Sequence, residues 1–106
     1  MKPLGLEIDF TIICIRLQNQ GKAKECHTNA KLTTKELKKM GYDVKVCSGL
    51  YLNPPKTIRH SWIEFKEKIL ETDCKQLREE GDIMPDKFCA VLDKSKFEHR
   101  YMEGLK

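Results

Sequence analysis

The hydrophobic period changes near Gly41, from helical to alternating, and that change limits the fold more than any other feature. From Cys26 to Met40, apolar or small residues recur at Cys26, Ala30, Leu32, Leu37 and Met40 with lysines between them. This is the spacing of a helix with one buried stripe. Gly41 is placed to end it, and Lys38-Lys39 suit the negative end of its dipole. The Thr33-Thr34-Lys35-Glu36 run could also start a second helix after a break near Leu32. Beyond Gly41 the period drops to two. Tyr42 to Leu52 alternates as a half-buried strand does, and Asn53-Pro54-Pro55-Lys56 follows as a turn. Ile58 to Lys66 alternates again. Ile58, His60, Trp62 and Glu64 share one face; Arg59, Ser61, Ile63 and Phe65 share the other. A tight turn at Glu67-Lys68 and a third short strand, Ile69 to Asp73, complete an antiparallel meander.

The flanks are less regular. Leu6 to Gln18 is apolar at Leu6, Ile8, Phe10, Ile12, Ile13, Ile15 and Leu17. Its length, with Gly21 beyond it, favours a helix over a strand. Lys75 to Glu80 suits a helical turn. Phe88, Val91, Leu92, Phe97 and Tyr101 have helical spacing, so one or two helices are expected over Pro85 to Glu103. The expected class is α+β: N-terminal helices carrying Cys26 on an antiparallel sheet of about three strands, with C-terminal helix. With 106 residues, a single domain spanning 1–106 is expected.

Composition excludes several classes. At 40% hydrophobic and 34% charged residues the chain is neither disordered nor fibrous. The formal net charge of +4 is too mild to indicate nucleic acid by itself. The apolar run Phe10 to Leu17 is too short to span a bilayer and contains Arg16, so no membrane association is expected. Glu7 and Asp9 do not suit a secretory leader. Five cysteines (Cys14, Cys26, Cys47, Cys74 and Cys89), with no Cys-x-x-Cys pair, point to thiols in a reducing, cytoplasmic setting. Cys14, Cys47 and Cys89 lie among apolar residues and read as buried.

Cys26 differs, because it stands at the expected start of a helix. Unpaired N–H groups and the helix dipole there favour a thiolate, and the same N–H groups can stabilise an oxyanion. A histidine on a packed strand suits the base, and His60 is so placed. Asp73 comes thirteen residues later at the end of the next strand, where a carboxylate could fix the imidazole. Helix with cysteine, strand with histidine, strand with aspartate resembles the core of the papain-like cysteine peptidase superfamily, transglutaminase-like branch. His60-Ser61-Trp62-Ile63-Glu64-Phe65 followed by Ile69-Leu70-Glu71-Thr72-Asp73 carries the likeness, over Gln20 to Asp73, about half the chain.

The resemblance implies a catalytic triad of Cys26, His60 and Asp73. It also implies an oxyanion-binding amide from Gln20, six residues before the cysteine, with Gln18 as the nearby alternative. It implies a thiol-dependent peptidase, amidase or transglutaminase-like enzyme that acts on an amide or isopeptide bond of a peptide or protein substrate and needs no cofactor or metal. His27, not an aromatic or small residue, follows the cysteine, and the Cys-Gly-Ser-Cys-Trp text is absent. As the residue after the nucleophile, His27 points about 100 degrees away on a helix. Cys26, His27, His60, Asp73 and Cys74 could in principle gather on zinc, but no short-spaced ligand pair supports this. The rival expectation is a non-catalytic protein- or nucleic-acid-binding module using the basic face of Lys31, Lys35, Lys38 and Lys39. The small size is compatible with a homodimer.

Overall fold

The computed structural model describes residues 4–19, 26–53, 55–74, 77 and 89–104, with Gln18, Asn19, Cys26 and Asn53 described by backbone alone. Helix α1 is Leu6–Asn19 and helix α2 is Cys26–Lys39. α2 runs without a break at Thr33-Thr34. At its end the Gly41 N–H donates to the Lys38 carbonyl and the Tyr42 N–H to that of Leu37 (3.0 and 3.1 Å). Gly41 sits at φ 98°, a left-handed conformation that costs glycine little and a β-carbon much.

Strands β1 (Lys45–Asn53), β2 (Lys56–Phe65) and β3 (Lys68–Glu71) form the expected meander. The β1–β2 ladder runs the whole length, from Lys45↔Glu64 to Asn53↔Lys56. The β2–β3 turn is Lys66-Glu67, one residue earlier than the sequence suggested, because Phe65 pairs with Lys68. Lys66 takes φ 53° there, as a two-residue hairpin turn requires.

The tail departs from the helical expectation. Ala90–Asp93 is a strand, β4, which pairs with β3, and Tyr101–Glu103 is a strand, β5, which pairs with β1. Only Lys94–Phe97 and the 3-10 turn Glu98–Arg100 are helical between them. The expected helix over Pro85 to Glu103 is corrected to this extent; residues 85–88 lie outside the described residues. The sheet is antiparallel throughout, in the order β4-β3-β2-β1-β5.

Its two faces bury different sets of residues. On one, Ile63, Leu70, Val46 and Phe65 meet Phe10, Ile13, Cys14 and Leu17 of α1 and Ala30 and Leu37 of α2. On the other, Trp62, Tyr51, Tyr101, Ile69 and Leu92 pack together with Cys47, Cys74 and Leu77. Alternation along β2 sends Ser61 and Ile63 to the helix side and His60 and Trp62 to the aromatic side. Helix α1 also carries a second apolar stripe, since Ile8, Ile12 and Ile15 are exposed. Among the described residues no helix is long and apolar enough to cross a membrane.

Candidate active site

His60 is fixed from several sides. Its ring stacks on Trp62 (centroids 6.3 Å apart, planes 20° apart), with Tyr51 edge-on at 5.9 Å and Tyr101 tilted at 6.3 Å. Its Nε2–H donates to Glu71 Oε1 at 2.7 Å, and both side chains are 0% exposed. The same oxygen accepts the Tyr101 hydroxyl at 2.7 Å, while Oε2 accepts the backbone N–H of Asp73 at 2.9 Å. A buried carboxylate is tolerated only when paired and hydrogen-bonded, and these three donors meet that condition.

The carboxylate found on the ring is therefore Glu71, where the sequence pattern had pointed to Asp73. The cause is where the ladder stops. Continuing the β2–β3 register would set Asp73 opposite His60, but the pairing ends at Ile63↔Leu70 and the chain bends at Thr72. Glu71, on the same face as Asp73, reaches diagonally to the ring instead. Asp73 is half-buried, and its backbone N–H is what it gives to Glu71. Tyr101 carries no strand signal in the sequence because its strand is only three residues long.

Cys26 opens α2, and its side chain lies outside the described residues, as does Gln20. Gln18 is described by backbone alone. The start of α2 is nonetheless located by its second residue. His27 Nδ1 lies 2.9 Å from Ser61 Oγ, which lies 2.9 Å from Ser48 Oγ; Ser48 Oγ is 3.5 Å from the same nitrogen. Ser48 and Ser61 are directly paired across β1 and β2. The first turn of α2 thus rests on β2 at the residue adjoining His60. His60 and Ser61 face opposite sides of the strand. The β2–β3 ladder, however, ends at Ile63↔Leu70, short of both residues, whereas β1 pairs with β2 throughout.

Two other cysteines are unsuited to nucleophilic work. Burial, chiefly, pushes the Cys47 thiol up to about 12, with Glu64 adding to the effect. A hydrogen bond with Cys89 and then burial drive the Cys14 thiol far above its ordinary range. Cys74 and Cys89 are buried as well. Among the described residues no group of three or more His, Cys, Asp or Glu side chains could hold a metal ion. Lys31, Lys35, Lys38 and Lys39 all face solvent, and Lys39 pairs with Glu36 at 3.3 Å. Compared with known proteins, the chain matches no family model, no curated protein and no solved structure.

Proposed function

We propose that this protein is a thiol-dependent acyl-transfer enzyme in which Cys26 is the nucleophile, His60 the base and Glu71 the orienting carboxylate. One observation carries the proposal: the buried 2.7 Å bond from His60 Nε2 to Glu71, on the β2 residue next to Ser61, against which the first turn of α2 rests on the opposite face. With Nε2 committed to the carboxylate, Nδ1 is the nitrogen assigned to the thiol proton. The order helix, histidine strand, carboxylate strand supports the likeness to the transglutaminase-like branch.

The chemistry then runs in two halves. The Cys26 thiol gives its proton to His60 Nδ1, and the sulfur attacks the carbonyl carbon of an amide or isopeptide bond in a peptide or protein. The backbone N–H of Cys26 stabilises the oxyanion, with the Gln20 or Gln18 amide added by the resemblance. The C–N bond breaks, Nδ1 returns the proton to the leaving amine, and an acyl-enzyme remains. Water or a second amine gives up a proton to Nδ1, displaces the sulfur and resolves it. Glu71 keeps its charge throughout and stabilises the imidazolium; Tyr101 and the Asp73 N–H hold Glu71 in place. A reducing cytoplasmic setting suits such a thiol.

An acyl-trapping, cysteine-directed probe followed by mass spectrometry tests this on the native chain, Cys26→Ala and His60→Gln. The adduct is expected on Cys26 alone and slower by at least about a hundredfold without His60. An adduct on another thiol, or one indifferent to His60, counts against the proposal.

A second reading, a non-catalytic binding module, is favoured by the 0% exposure of both His60 and Glu71, since a pair that merely satisfies itself in a core would be equally closed. Its surface would be the solvent-facing Lys31-Lys35-Lys38 stripe. Oligonucleotide affinity falling steeply with salt, together with Cys26 alkylation no faster than in the unfolded chain, supports it.

A further inference from the structure

The start of α2 is seated on the sheet by a polar contact that the acyl-transfer chemistry itself does not use. We infer that His27 is a positioning residue: through Ser61 and Ser48 it fixes the first turn of α2 against β2 and so sets where the Cys26 sulfur stands relative to His60. This inference rests on the proposed chemistry for its consequence but on geometry for its contact.

Three facts carry it. His27 Nδ1 and Ser61 Oγ are 2.9 Å apart although their residues are 34 positions apart in sequence. Ser61 is 4% exposed, so its hydroxyl needs partners, and Ser48 and His27 supply them at 2.9 Å each. If Ser61 O–H donates to Nδ1, Ser48 O–H donates to Ser61 in turn, and one chain of donors satisfies all three groups. The contact lies at Ser48↔Ser61, one of the two cross-strand pairs that adjoin the Gly49↔His60 pair. Cys26 adjoins His27 as His60 adjoins Ser61, so a slip of the α2 start along β2 carries Cys26 along the strand that holds His60. A misplacement of about 1 Å at a reacting pair costs on the order of a hundredfold.

A residue next to the nucleophile on a helix is expected to point elsewhere, and His27 is that residue. It does point elsewhere, and the place it points to is the sheet. Because the ring engages through Nδ1, asparagine can replace it, its side-chain amide reaching about as far as Nδ1. Glutamine, whose amide extends to the Nε2 position, cannot.

The experiment measures iodoacetamide alkylation of Cys26 against pH in the native chain, His27→Ala, His27→Asn, His27→Gln and Ser61→Ala. Hydrogen exchange is followed at the Ala30 and Lys31 amides, among the first able to bond back into the helix. His27 faces solvent, so its variants keep the fold. His27→Ala is expected to slow alkylation about ten- to a hundredfold, to displace the pH midpoint and to speed exchange at both amides. Asn restores all three and Gln none. Ser61→Ala matches His27→Ala, and the double variant is no worse than either, because both remove one interaction. Native rate, midpoint and exchange in His27→Ala, or rescue by Gln as good as by Asn, overturns the inference. If native Cys26 alkylates no faster than in the unfolded chain, the acyl-transfer proposal fails. Faster exchange in His27→Ala that Asn alone restores then still supports the seat, and unchanged exchange overturns it.

Discussion

His60 and Ser61 are neighbours on one strand, yet they belong to two differently built halves of the molecule. The His60 side is a closed aromatic layer around a charged pair, with His60, Tyr101 and the Asp73 N–H all donating to Glu71 inside the protein. The Ser61 side is a helix-on-sheet core made mainly of apolar residues, with buried polar side chains dispersed at Asp9, Asn29, Thr33, Thr34 and Ser61. Aliphatic packing tolerates adjustment, since side chains can shift to fill small losses. A buried charge network does not, since removing one member leaves the others desolvated and unpaired. The two faces should therefore answer mutation differently.

The largest contrast is at Glu71. Glu71→Ala removes the acceptor of three donors in a site sealed from water. We expect about 3–5 kcal/mol of lost stability in urea unfolding. Glu71→Gln keeps one acceptor but turns an N–H toward the Asp73 N–H, and should cost about 1–3 kcal/mol. Ser61→Ala, on the other face, should stay near 1 kcal/mol because its partners Ser48 and His27 face solvent and can be hydrated. Equal costs for Glu71→Ala and Ser61→Ala would erase the distinction between the faces.

Gly49 sharpens the comparison from the opposite edge. A β-carbon built there would overlap the Met102 carbonyl oxygen and crowd Glu103 and Gly104 backbone at 3.0 Å. These are β5 atoms or their neighbour, and β5 holds Tyr101, whose hydroxyl reaches Glu71. Gly49→Ala should push β5 off β1 and loosen the charged network without touching the helix side. We expect about 1–3 kcal/mol of lost stability, faster exchange at Tyr101 and unchanged exchange along α1. Equal loosening of α1 would mean that the two faces unfold as one.

What the sequence revealed and what it hid follow the same division. Local signals were legible: Gly41 as the end of α2, the alternation of Ile58 to Phe65, the apolar settings of Cys14, Cys47 and Cys89. Each depends on neighbours within a few residues. Misplaced features all depend on distant pairing. Ala90–Asp93 and Tyr101–Glu103 are strands only because β3 and β1 offer them edges, and segments of four and three residues are too short to show a period. The sequence pattern points to Asp73 and not to Glu71 because the point where a ladder stops is tertiary information. The Ser61–His27 contact needed both the β1–β2 register and the angle of α2, and neither can be read from one strand alone.

The cysteines give a pH test on both faces. Cys47 lies under Trp62's layer and Cys14 in the helix-side core, and both thiols are raised above their ordinary value, 9.0. A raised thiol pKa favours the neutral form in the folded state. Its stabilisation is complete below about pH 9 and is lost as pH rises from there toward the folded value. Urea midpoints should hold through neutral pH and fall from about pH 9 to 12. Cys47→Ala should flatten part of that fall, at some constant cost in packing. A midpoint independent of pH across this range would show that the thiols ionise as freely folded as unfolded.

The smallest effect is expected where the helices face solvent. Arg16 Nη2 bonds Glu36 Oε1 at 2.7 Å and is the described ion pair linking α1 to α2, with side chains 44% and 30% exposed. Desolvation opposes ionisation of Glu36, but the hydrogen bond from Lys39 and the charges of Lys39 and Arg16 prevail, so its carboxyl titrates below the usual range. The sign follows: the pair stabilises at neutral pH, and its contribution fades as acid protonates Glu36 through that lowered value. Water and salt screen charges this exposed, so Glu36→Gln should cost no more than about 0.5 kcal/mol at pH 7, and less at 1 M salt. Such a small loss, beside several kcal/mol at Glu71, would place the electrostatic weight of this protein inside the aromatic layer. A loss at Glu36 rivalling that of Glu71→Gln would instead mean that the α1–α2 seam, and not the sheet, is what the charges hold together.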